Sequence, residues 1–202
     1  MQVKDIALLR AYNDDRISRF GTDSNRALGW KNPESQIKRF EQLAKIGKIN
    51  GHRLLDAGCG HGDLYPYLKQ IYGEFEYIGL DYQREFLDVA IDRFGRYENT
   101  KFVYGEFSSQ SIPVVDYVIC CGALNYRNSE TDYINRMIYK LFAVSKIGLG
   151  LSLLKRVEFE DGFLVPTHPA ATLEFSKELT SSIVLQDDPK DDYFTLFLYR
   201  EE

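Results

Sequence analysis

Two acids and a run of glycines carry the chemistry legible in this chain. In Leu54-Leu55-Asp56-Ala57-Gly58-Cys59-Gly60-His61-Gly62-Asp63-Leu64 a short apolar run meets an acid, then three spaced glycines, then a helical pattern. Glycines there permit a tight turn and let a ligand press against the backbone. Asp81 lies twenty-five residues after Asp56 and ends a second apolar run in Gly79-Leu80-Asp81. A carboxylate at that point can accept hydrogen bonds from both hydroxyls of a ribose.

The spacing separates two kinds of nucleotide ligand. A dinucleotide fingerprint reads G-x-G-x-x-G and aims a helix N-terminus at a pyrophosphate. Here the third glycine comes one residue early, and Asp56 stands just before the first. A carboxylate in that place repels a pyrophosphate and suits a ligand with a cationic amino-acid end. S-adenosylmethionine has an α-ammonium and no phosphate, and it is the expected cofactor.

Further candidates follow the next two apolar runs. Glu106-Phe107 leaves the third and is placed to meet an adenine edge and face. Cys121-Gly122-Ala123-Leu124-Asn125-Tyr126 leaves the fourth and lines the expected path from cofactor to acceptor. Asn125, Tyr126 and His168 are the candidate catalytic residues on the acceptor side. Tyr12 and the single tryptophan, Trp30, are further acceptor-side candidates, and Trp30 serves equally as core or lid. His168, in Thr167-His168-Pro169, is either a general base or a solvated loop histidine. Cys120 and Cys121 read as small core residues rather than nucleophiles.

These residues need a sheet to hold them. Runs at 53–58, 76–81, 101–107, 113–123 and 146–154 alternate with helical spacing such as Leu64, Leu68, Ile71 and Phe86, Leu87, Ala90, Ile91, Phe94. Near-continuous apolar strands in βαβα order imply a parallel sheet covered on both faces. Two closing runs, 181–188 and 192–200, are joined by a turn at Asp187-Asp188-Pro189-Lys190 and must be antiparallel to each other. Ser129-Glu130-Thr131-Asp132 has the form of a capping box for a helix carrying Ile134, Met137, Ile138, Leu141 and Phe142. Residues 1–50 are helical and polar-rich, a cap that either covers a sheet edge or closes as a lid over the domain at 51–202. Asn32-Pro33 opens one of its helices, with Ile37, Phe40, Leu43 and Ala44 on one face. The charged, then Gly/Pro-punctuated segment 155–170 is a candidate substrate-covering loop.

Composition narrows the class. The 202 residues, 44% hydrophobic and 27% charged, suit one globular domain. A net charge of −5 gives no global field for nucleic acid or anionic lipid and counts against a DNA acceptor. Three cysteines, two of them adjacent, do not make a disulfide framework and fit a reducing cytoplasm. The three histidines lack zinc-ligand spacing, so no metal site is expected. The N-terminus has no secretory pattern, and no run of ~18 apolar residues offers a membrane span.

LLDAGCGHGDL and YIGLDYQREFLDVA resemble the first two motifs of class I S-adenosylmethionine-dependent methyltransferases, and VVDYVICCGALNY resembles their fourth-strand motif. The resemblance covers residues 50–155 well and 181–200 more loosely. ALGWKNPESQIKRFEQL and THPAATLEF are similar to stretches of small stand-alone bacterial methyltransferases. The family implies a Rossmann-like, seven-stranded, mostly parallel sheet with helices on both faces and an antiparallel final strand. It also implies that Asp56, Gly58 and Gly60 contact the methionine end, Asp81 the ribose, and Glu106-Phe107 the adenine region; Cys59, Tyr82, Cys121 and Gly122 are further expected cofactor-binding residues. The Asp/Asn-Pro-Pro-aromatic motif of nucleic-acid amino-methylating enzymes, the proline-cysteine pair of cytosine-C5 enzymes and the paired-glutamate loop of protein arginine methyltransferases are all absent. The expected function is methyl transfer to a small-molecule acceptor. The alternative is a protein of this fold that binds without transferring methyl.

Overall fold

A computed structural model describes residues 1–158 and 162–201 of the chain. The seven strands form one sheet in the order β3-β2-β1-β4-β5-β7-β6. They are β1 (Arg53–Ala57), β2 (Glu76–Asp81), β3 (Thr100–Tyr104), β4 (Val115–Cys121), β5 (Ser145–Leu154), β6 (Ile183–Gln186) and β7 (Tyr193–Tyr199). The first five run parallel, and β7 lies antiparallel to both β5 and β6. This is the mostly parallel, Rossmann-like sheet expected, with the reversed strand inserted rather than at the edge.

Among the described residues six α-helices flank it: α1 (Val3–Phe20), α2 (Pro33–Leu43), α3 (Leu64–Tyr72), α4 (Arg84–Phe94), α5 (Tyr133–Ala143) and α6 (Pro169–Ser176). The period of two along a strand sends alternate side chains to opposite layers. Leu55, Ala57, Val118, Cys120, Leu149, Leu151, Phe194, Leu196 and Leu198 join Met137, Ile138 and Leu141 of α5 in one core. Leu54, Tyr77, Tyr117, Ile119 and Phe197 join Phe40 and Leu43 of α2 and Leu64 and Leu68 of α3 in the other. Each fully buried leucine among these contributes roughly 1.5–3 kcal/mol, so two filled layers fix the register that brings Asp56 opposite Gly79 and Ile119.

Local signals fared unevenly. At Asn32 the side chain accepts from the Ser35 N–H at 2.8 Å, and Pro33 takes the first helical position as expected. The capping box at Ser129 does not form. α5 starts at Tyr133 with Asp132 as its uncapped N-cap, and the Ser129 hydroxyl donates instead to Asp5 of α1 at 2.7 Å. A tertiary partner thus outcompetes the local one. Ile37, Ile71 and Ile91, read as core-facing, are exposed at the margins of their helix faces.

α1 lies across the carboxyl ends of the strands and is fastened by polar contacts. Beyond Asp5–Ser129, Arg10 donates to the Tyr104 hydroxyl at 2.9 Å, Asn13 to the Tyr82 hydroxyl, and Gln83 donates to Asp14 at 2.9 Å. α2 instead packs its apolar face on the sheet. No helix among the described residues is long and apolar enough to cross a membrane.

Candidate functional site

The turn after β1 is built by glycines in a backbone region closed to most side chains. Gly58, Gly60 and Gly62 have φ of 80°, 54° and 73°. The turn is pinned to β2: the N–H groups of Gly58 and Cys59 donate to the Leu80 carbonyl at 2.8 and 3.1 Å. The Asp81 carboxylate accepts from Gly60 N–H at 2.8 Å and from Gln83 N–H at 2.9 Å. One acid thereby shapes both the glycine turn and the exit of β2.

Asp56 and Asp81 are buried, at 2% and 7% exposure. Burial pushes the Asp56 carboxyl up to about 7, against the pull of the Tyr77 hydroxyl that donates to it at 2.7 Å, with the neighbouring carboxylates Asp81 and Asp63 adding to the rise. Burial also raises Asp81, opposed by the backbone N–H groups it accepts from. Both carboxylates therefore carry a desolvation cost that a cationic ligand group offsets.

These residues line a cavity of about 1010 Å³ at the carboxyl ends of β1, β2 and β4. Every expected cofactor contact is on its wall: Asp56, Gly58, Cys59, Gly60, Asp81, Tyr82, Glu106, Phe107, Cys121 and Gly122. Glu106 turns both carboxylate oxygens to Ser108, one to its N–H at 2.9 Å and one to its hydroxyl. Burial raises the thiols of Cys59 and Cys120, and that of Cys121 to about 12, so they are held as thiols rather than nucleophiles.

Asn125 and Tyr126 also line the cavity, whereas His168 does not. His168 is the N-cap residue of α6, its carbonyl accepting from Thr172 N–H at 3.0 Å. The Asn125 side chain, 3% exposed, accepts from Leu154 N–H at 2.9 Å and so fastens the end of β5. Tyr126 belongs to an aromatic wall. Tyr12 stacks on Phe163 with centroids 4.8 Å apart, and Tyr126 lies 5.8 Å from each. Hydrogen bonds hold the strip carrying Phe163: Arg127 N–H donates to the Phe163 carbonyl at 2.8 Å, and Val165 N–H to the Asn125 carbonyl at 2.8 Å. Residues 159–161 of the substrate-covering loop expected at 155–170 lie outside the described residues. Trp30 lines the cavity and packs edge-on against Phe40 at 6.4 Å.

Sequence reasoning missed Leu28, Arg39 and Phe163, all on the wall. A Cβ on Gly60 would come within 2.8 Å of Leu28, so the N-terminal segment closes directly on the glycine turn. Arg39 had a detectable signal. With Gln36, Phe40 and Leu43 it completes the buried face of α2 at helical spacing, two of the four positions being polar. No group of three or more potential metal ligands occurs among the described residues.

The chemistry of this wall fits an adenosyl amino acid: buried carboxylates where a pyrophosphate would be repelled, and an open face at Gly122, whose Cβ would meet nothing nearer than 3.6 Å. Known proteins agree. Residues 54–148 match a family described as a methyltransferase domain. An uncharacterised protein of Methanocaldococcus jannaschii is 29% identical over 106 residues, 51% of this chain but only 28% of that relative's length. Magnesium protoporphyrin IX methyltransferase of Synechocystis PCC 6803, with bound S-adenosylhomocysteine, shares the fold at TM-score 0.72 and 18% identity, covering 98% of this chain and 100% of that one. Human N-acetylserotonin methyltransferase in complex with S-adenosylmethionine matches at 0.60 and 14%, over 81% and 51%. Motifs, strand order and family match converge: residues 54–148 are those of a methyltransferase domain, set in a Rossmann-like sheet shared with S-adenosylmethionine-dependent methyltransferases.

Proposed function

We propose that the protein transfers a methyl group from S-adenosylmethionine to a small, aromatic-faced acceptor. The observation that carries this reading is the wall of Tyr12, Tyr126 and Phe163 on the same cavity as the glycine turn. Rings at this spacing suit a flat acceptor that stacks. The Synechocystis relative named above acts on a flat macrocycle, in keeping with that preference.

When bound, the cofactor supplies a sulfonium methyl whose C–S bond breaks as an acceptor lone pair bonds the carbon, leaving the thioether. The chain's own work is positioning and exclusion of water. Asp81 and Tyr82 would hold the ribose, Glu106 and Phe107 the adenine region, and Asp56 with the glycine turn the methionyl ammonium. Tyr126 and the open face at Gly122 leave the acceptor its approach. Asn125 acts as a positioning residue through the end of β5. An acceptor that must lose a proton needs a base, and His168, off the cavity wall, is not placed to be it. Residues 1–50 act as a cap over this cavity, α1 resting on its rim. Three free cysteines are in keeping with a reducing, cytoplasmic setting.

The test is incubation of the protein with methyl-labelled S-adenosylmethionine and separate pools of small aromatic alcohols and amines, protein and nucleic acid. Label in the small-molecule pool is the expected result. Label confined to nucleic acid or protein overturns the acceptor class, and calorimetric binding of NAD in place of S-adenosylmethionine overturns the cofactor.

The raised Asp56 carboxyl gives this reading a pH signature. Near pH 7 part of the free protein holds Asp56 protonated. An ammonium partner favours the carboxylate, so binding releases a proton and tightens as pH rises. Affinity for S-adenosylmethionine is expected to fall as pH drops from 8 to 6, approaching tenfold per unit at the acid end. Asp56→Asn removes that dependence. A flat profile in the wild-type protein, measured by calorimetry in buffers of different ionisation heat, argues against ammonium binding at Asp56.

A further inference from the structure

Arg39 is buried at 7% exposure and lines the cavity from α2. Among the described residues it has no hydrogen bond and no ion pair within 4 Å. Three other cations on the wall are engaged: Lys31 and Arg156 both pair with Asp192, and Arg16 donates to the Arg26 carbonyl at 2.9 Å. A guanidinium removed from water with no carboxylate in contact is costly to keep, and Asp192 and Asp191 reach it only by longer-range attraction. Burial accordingly lowers its pKa. What holds it is aromatic: its central carbon lies 5.2 Å from the Trp30 ring and 4.9 Å from the Tyr193 ring. Rings engage the cation without using its N–H donors, which stay available to a ligand.

The placement says which ligand. Arg39 Nη1 lies 3.7 Å from where a Gly122 Cβ would stand. The next residue, Ala123, packs on Gly58, whose added Cβ would come within 2.2 Å of the Ala123 Cβ. The guanidinium thus sits where the exit of β4 touches the glycine turn. Cys121, at the end of β4, interacts electrostatically with both Arg39 and Asp56. A fixed cation and a fixed acid flank the same short stretch of backbone. That pairing matches the carboxylate and ammonium of one α-amino acid, and a guanidinium meets a carboxylate with two parallel N–H donors.

We infer that Arg39, clamped between Trp30 and Tyr193, is the anchor for the methionyl carboxylate of the cofactor. The inference rests on the S-adenosylmethionine reading above and adds to it a residue from the N-terminal segment. It makes α2, with its attached loop, a structural part of the cofactor site.

Decarboxylated S-adenosylmethionine, which keeps the sulfonium and the amine, isolates the contact. In calorimetric titrations the wild-type protein is expected to bind S-adenosylmethionine roughly 10- to 100-fold tighter than the decarboxylated form. Arg39→Met removes that preference by weakening S-adenosylmethionine alone, and Arg39→Lys restores part of it. The wild-type comparison stands even if Arg39→Met fails to fold. Equal affinity of wild type for the two ligands overturns the assignment while leaving the cofactor reading intact. So does an unchanged preference in Arg39→Met, which would return the guanidinium to an acceptor carboxylate. Parallel weakening of both ligands makes the role structural and overturns it too. A wild-type protein that binds neither ligand overturns both readings together.

Discussion

Asp81→Ala is expected to weaken S-adenosylmethionine binding roughly 10- to 100-fold, since hydrogen bonds to a charged group are worth about 1.5–3 kcal/mol. The loss has two sources. One is the pair of acceptor oxygens for ribose hydroxyls. The other is internal: Asp81 accepts from Gly60 and Gln83 N–H at 2.8 and 2.9 Å, and its removal leaves both donors unpaired beneath the cavity. Each buried orphan costs about 1–3 kcal/mol. Asp81→Asn keeps the shape but presents an amide –NH₂ to one of the donors, so it should weaken binding as well. Calorimetry with S-adenosylhomocysteine checks this, with thermal unfolding run in parallel to separate the two sources. Unchanged affinity in Asp81→Ala removes the ribose assignment.

The second large effect is expected at Gly58. At φ 80° an L side chain is strained, and the added Cβ would come within 2.2 Å of the Ala123 Cβ. Strain of ~1–2 kcal/mol and overpacking of ~1–3 kcal/mol act together. Gly58→Ala should therefore lower Tm by roughly 5–15 °C for a chain of this length and abolish cofactor binding at micromolar concentrations. Ala123→Gly in the same chain removes the collision and leaves the backbone strain, so the double variant should recover part of the Tm loss. Complete recovery would mean that the backbone bears no strain there. No recovery would mean that the turn itself, rather than its contact with the β4 exit, sets the cost.

Legibility in the sequence followed burial chemistry. β1, β2 and β4 could be read because their buried positions are apolar and end in an acid, a glycine or a small residue. The residues expected to meet the cofactor came with them, since Asp56, Gly58 and Asp81 lie at or just past the ends of those runs. α6 was not visible as a helix. Its buried positions are Thr172 and Ser176, whose hydroxyls return to the His168 and Thr172 carbonyls at 3.0 and 2.8 Å. Likewise α1 buries Asp5, Leu9 and Asn13, a helical stripe at spacing four in which two members are polar. The α6 hydroxyls are satisfied by carbonyls four residues back, and Asp5 and Asn13 by Ser129 and Tyr82 far away in sequence; no periodicity of hydrophobicity records either kind of partner. Arg39 went unread because a charged side chain on a helix reads as solvated, although its spacing with Phe40 and Leu43 puts it on the buried face; Ser129 was misread because its partner is Asp5, 124 residues distant. The acceptor wall was legible only in part, because Phe163 joins Tyr12 and Tyr126 through tertiary packing alone.

The inserted position of β7 also sets an order of events. β6 touches the sheet only through β7, and β7 reaches it by pairing with β5, Gly148 opposite Tyr199. The excursion from Leu154 to Tyr193 is one long chain loop whose closure entropy falls due before any of its contacts form. The glycine turn, by contrast, belongs to a local β1-α3-β2 unit that needs no such closure. Phe163, Leu164, Asp192 and Tyr193 all sit in or at the end of the excursion. The glycine-turn side of the cavity thus rests on local contacts, whereas the side built by Phe163, Leu164 and Tyr193 depends on contacts of high sequence separation. Sub-global opening that releases β7 would free Tyr193 from the Arg39 guanidinium while leaving the glycine turn and its bond to Asp81 standing.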